Sequence, residues 1–88
     1  MQKDDQVSVL SEIFNAAGRY IVEGGEVPRF VGDETQVRAI KRATLASRRF
    51  YEALCNERST IDTVSVMLEE RKRAAAEFKR IIGQEWRF

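Results

Sequence analysis

Apolar side chains recur along this chain at intervals of three and four in three separate stretches, and nowhere do they alternate at the spacing of two that marks a strand. In the first stretch Val7, Leu10, Phe14, Ala17 and Ile21 form one helical stripe, widened by Val9, Ile13 and Tyr20. Asp4 and Asp5 suit the positive N-terminal end of a helix over about residues 4–23, and Gly24-Gly25 stops it, because glycine accepts the left-handed terminal turn. In the second stretch Ala39, Ile40, Ala43, Ser47, Phe50 and Leu54 share a face. Asp33 followed three residues later by Gln36 reads as a capping box that opens a helix over about 34–55. A turn at Asn56–Arg58 follows, and Ser59 or Thr60 caps a third helix over about 60–82, stopped by Gly83. Its apolar positions are Ile61, Val64, Met67, Leu68, Ala75, Phe78 and Ile82.

Three helices of about 20 residues joined by short links predict an all-α fold, a small antiparallel three-helix bundle running up-down-up and about 30 Å long. Residues 1–88 make a single helical domain. The connector Glu26–Gly32 contains Val27, Phe30 and Val31, which are expected to fold back over the bundle end, and Trp86 in the tail is expected to pack there too. An 88-residue chain buries only about 60–65% of its unfolded surface, so its stability margin is thin and homodimerisation would help it.

Charge changes the picture at the second helix. The fourteen residues Arg38–Tyr51 carry five bases and no acid. At 100° per residue Arg38, Lys41, Arg42, Arg48 and Arg49 fall opposite the apolar face, with Leu45 in their midst. The net charge is only +1, yet residues 1–37 hold three bases against seven acids and residues 38–88 hold twelve against seven. Eleven of the fifteen bases are arginine, the side chain suited to bidentate contacts with carboxylate or phosphate. An apolar centre ringed by arginines has the composition of an interface hot spot.

Arg71 interrupts the third helix where the periodicity calls for an apolar residue, between Leu68, Ala75 and Phe78. Thr44 and Ser47 are the polar interruptions of the second helix, and an antiparallel neighbour places them near the height of Arg71. The three suggest a polar layer of the kind that fixes register or partner choice at some cost in stability. Alternatively Arg71 snorkels at the seam edge, or its guanidinium meets an acidic group from a second subunit or a partner.

Catalytic chemistry finds no footing in the sequence. Histidine is absent, which removes the commonest general base and leaves Cys55 without an activating imidazole. The glycines match neither a P-loop nor a dinucleotide fingerprint. One cysteine excludes an internal disulfide or a multi-cysteine zinc site, and it is expected to be half-buried. No catalytic residue, metal ligand or cofactor site is assigned. No apolar run approaches membrane-spanning length and no signal-peptide core follows Met1, so a cytoplasmic protein with no membrane partner is expected.

Thr63–Leu68, after the turn at Asn56–Ser59, resembles the recognition helix of a helix-turn-helix repressor over about twenty residues. The resemblance departs from the motif at Arg58, which stands in place of the turn glycine, and at Glu57 and Ser59, which replace packing apolar residues. The reading adopted is a non-catalytic interaction module, an adaptor, inhibitor or regulatory subunit. It docks an acidic protein surface through Arg38, Lys41, Arg42, Leu45, Arg48 and Arg49. The alternative is a nucleic-acid-binding regulator using the same stripe. A short chain of this appearance also suggests a phage or mobile-element accessory protein.

Overall fold

The computed structural model describes the chain from Gln2 to Phe88, with side chains from Val9 onward. Met1 and the side chains of Asp4, Asp5 and Val7 lie outside the described residues. Three α-helices account for the regular structure among the described residues: α1 Gln2–Glu23, α2 Glu34–Cys55 and α3 Ile61–Ile82. None is long and apolar enough to cross a membrane.

The helix ends form for local reasons. At α2 the Asp33 carboxylate accepts from the Gln36 amide at 2.8 Å while the Gln36 side chain accepts from the Asp33 amide at 3.4 Å. At α3 the Thr60 hydroxyl accepts from the Thr63 amide at 3.1 Å, so Thr60 rather than Ser59 is the cap. Gly83 ends α3 at φ 86° with its amide donating to the Lys79 carbonyl, a left-handed terminal turn that a side chain would strain.

The direction of the helices follows from their contacts. Arg42 pairs with Glu77 and Arg49 with Glu70: a step forward along α2 is an equal step back along α3, so this hairpin is antiparallel. α1 instead runs alongside α2 in the same sense. Leu10 and Ile13 share a groove with Gln36 and Ile40 near the start of α2, whereas the end of α1 meets Arg48, which donates to the Ile21 carbonyl at 2.7 Å. The expected up-down-up order is therefore up-up-down. The connector makes this possible. Residues 24–33, at up to ~3.3 Å per extended residue, can retrace most of a helix length. Phe30 and Val31 accordingly lie back beside Val9, Ile13 and Ala16.

The core is small and alanine-rich where helices approach. Ala17, Ala39, Ala43 and Ala74 are wholly buried, with Phe14, Ile21, Ile40, Phe78 and Trp86 supplying the bulk. Small side chains let α2 and α3 lie close along their length. Among the described residues no Cα of α1 comes within 8 Å of one in α3. Their gap is bridged by Phe14 against Phe78, with ring centroids 5.9 Å apart, and by the tail after Gly83. Trp86 packs on both rings, at 5.8 and 4.9 Å, and Phe88 reaches Phe14 at 6.2 Å. Trp86 thus sits inside the core rather than on the bundle end.

α1 ends level with Arg48, while the hairpin continues to its turn at residues 56–60. That stagger leaves the hairpin tip uncovered, so Leu54 on the expected dry face is exposed and Ile61 is 85% exposed. Cys55, expected to be half-buried, is exposed for the same reason. In the connector Phe30 packs against the core, whereas Val31 is 90% exposed.

Candidate functional site

The two faces of α2 separate as its sequence dictates. Ala39, Ile40, Ala43, Thr44, Ala46 and Ser47 are buried. On the other side Arg38, Lys41, Arg42 and Arg49 are exposed around a half-buried Leu45, because spacings of three and four return each to the same face. These five side chains line one shallow depression of about 300 Å³.

Arg48 is not part of that depression. Its Nη1 donates to the carbonyls of Ile21 at 2.7 Å and Val22 at 3.3 Å, its Nε pairs with Glu52 at 3.0 Å, and the side chain is only 22% exposed. Those carbonyls belong to the last turn of α1, where they have no partner within the helix. Arg48 is a cross-helix cap that ties the end of α1 to α2, and a cation suits the negative end of the helix.

Carboxylates of the same chain approach the other arginines. Arg38 bonds Glu34 at 2.8 Å, one turn back on α2, while α3 supplies Glu77 to Arg42 and Glu70 to Arg49 at 3.9 Å. Lys41 has no carboxylate partner among the described residues. The depression is thus edged by four cations and three carboxylates, with an apolar floor. The guanidinium side chains stay in water, at 72% exposure for Arg38 and 58% for Arg49. The exposed Arg38–Glu34 and Arg49–Glu70 pairs contribute about 0–1 kcal/mol each and exchange readily, whereas the Glu77 side chain on Arg42 is only 23% exposed.

The three polar interruptions in the core each have a different partner, and no hydrogen bond joins them to one another. The Thr44 hydroxyl donates to the Ile40 carbonyl of its own helix at 2.8 Å. Ser47 Oγ accepts from the Trp86 indole at 2.8 Å, both residues being buried. Arg71 Nη1 donates to the Phe88 carbonyl at 2.7 Å, and its guanidinium lies 5.3 Å from the centre of the Phe50 ring. Two of the three therefore address the tail. On the surface Lys79 of α3 bonds Glu85 of the tail at 2.6 Å, and that bond and charge hold its ammonium above its ordinary pKa.

A second depression, about 340 Å³, lies at the end of the bundle where α2 begins and α3 ends, walled by Val9, Leu10, Ile13, Val31, Ile40 and Ile82. Periodicity assigns most of these to the core. That the groove stays open depends on the path of the connector, on which periodicity is silent. No protein-family model, curated protein or solved structure matches this chain.

Proposed function

We propose that the chain is a non-catalytic protein-interaction module that docks an acidic segment of a partner protein on the exposed face of α2. The observation that carries this reading is the depression of Arg38, Lys41, Arg42 and Arg49 around Leu45. Leu45 supplies apolar area that a partner side chain can cover. Arg38 and Arg49 present forks of donors whose present carboxylates are solvated and replaceable at little cost, while Arg42 is held by the less exposed Glu77. Partner carboxylates take over these forks, and Lys41 takes one without giving any up.

The same arrangement disfavours nucleic acid. Phosphate binding draws its free energy from counterions released by several unneutralised cations. Here three of the four cations already have a carboxylate beside them. Glu70 and Glu77 would also face the phosphates.

Capture from the native host is the experiment. Leu45→Asp and Arg49→Glu should abolish recovery of a discrete partner while leaving helicity unchanged, whereas Arg80→Glu, on exposed α3 surface, should not. Equal recovery with all three variants rejects the face. In parallel, duplex and single-stranded DNA should show no binding at about 50 mM salt; binding with a log–log salt slope near −3 to −4 would support the phosphate reading instead.

A further inference from the structure

We propose that the cleft between α1 and α3 is a peptide-recognition site, filled in this structure by the chain's own tail, whose ligand is a segment with tryptophan and phenylalanine two residues apart. A gap that two helices leave between them is usually closed by side chains of those helices. Here Phe14 and Phe78 meet across it, and the rest is filled by a non-helical segment in which exposure alternates: Glu85 and Arg87 are exposed, Trp86 is buried and Phe88 half-buried. That period of two is how an extended peptide presents one face.

The cleft is built for that segment with polar anchors as well as apolar walls. Ser47 accepts the indole proton and Arg71 donates to the Phe88 carbonyl. Gly18 lacks the Cβ that would lie 2.9 Å from the Phe88 ring, a distance at which the ring would have to move. Neither hydrogen bond joins two helices, although the Arg71 guanidinium also lies over the Phe50 ring of α2. Arg71 Nε, moreover, is buried with no acceptor among the described residues. Buried donors are normally paired, so the cleft holds one donor that the tail does not use.

The tail is attached at the end of α3 through Gly83, in the left-handed region, and exposed Gln84. A tether this short gives an effective concentration in the millimolar range, so occupancy in cis prevails until the tail's own aromatics are removed. Once they are removed, a free peptide of the same chemistry should enter.

The test uses the full chain carrying Trp86→Ala and Phe88→Ala, which contains no tryptophan because Trp86 is the only one. A synthetic peptide copying residues 83–88 is then the sole indole fluorophore. Its emission should shift to the blue saturably, and the helical content or melting temperature of the protein should rise together with it. A peptide keeping only Trp-x-Phe in unrelated surroundings should do the same, and one with the phenylalanine replaced by alanine should bind at least about tenfold more weakly. If the double variant does not fold alone, the peptide should restore its helicity. Emission that stays at the free-peptide wavelength up to millimolar concentration, or helicity that never returns, overturns the proposal.

Discussion

Ser47 shows how a single side chain can hold two distant parts of this protein. Its hydroxyl sits on the buried face of α2 and accepts the Trp86 indole from thirty-nine positions away. Ser47→Ala leaves that indole N–H buried without an acceptor and should cost about 1–3 kcal/mol in urea unfolding. Gly18 is a second such point. Alanine there gains about 1 kcal/mol of helix propensity but displaces the Phe88 ring. Gly18→Ala should therefore stabilise the chain when Phe88 is already alanine, and much less otherwise. A double-mutant cycle in urea reads the coupling, and additive effects would show that the tail is not seated against α1. Periodicity exposed Thr44, Ser47 and Arg71 as misfits because they break an apolar face. Their partners were not legible: a tail of five residues has too few positions to show a pattern, and a hydroxyl's choice between its own helix and a distant indole depends on where that tail lies.

Helix extents were legible because caps are local chemistry. Asp33, Gln36, Thr60 and Gly83 end their helices through bonds spanning three or four residues, and α2 falls on its expected range. Asp33→Ala should lower stability by about 1 kcal/mol, seen as a lower melting temperature with the same folded-state helicity. The direction of α1 was not legible, since an amphipathic stripe packs equally well whichever way its helix runs. The ten-residue connector decided it, and what told there was length together with Phe30, which anchors the returning strand of chain beside α1. Arg48 belongs to this scale too. Its position in the sequence put it on the basic stripe, and only the parallel placement of α1 brought unpaired carbonyls within its reach. Arg48→Gln should loosen the end of α1, with faster amide exchange over residues 18–23 and little change in α3.

At the scale of the whole molecule, the charge asymmetry of the sequence is partly cancelled by folding. The third helix, net basic by count, turns Glu70 and Glu77 toward the arginines of α2. What survives is a mixed-charge rim around Leu45, a surface for exchange of ion pairs rather than for long-range attraction. Glu70→Gln should therefore change stability by less than about 1 kcal/mol while strengthening capture of an acidic partner, because Arg49 no longer has to give up a carboxylate. The most direct measurement is a photo-crosslinking amino acid placed at position 45 and irradiated in the native host. A discrete protein adduct that disappears with Arg49→Glu and is absent from a control position at Arg80 is the expected result. No adduct at position 45, or adducts of equal yield at both positions, would contradict a docking role for this face.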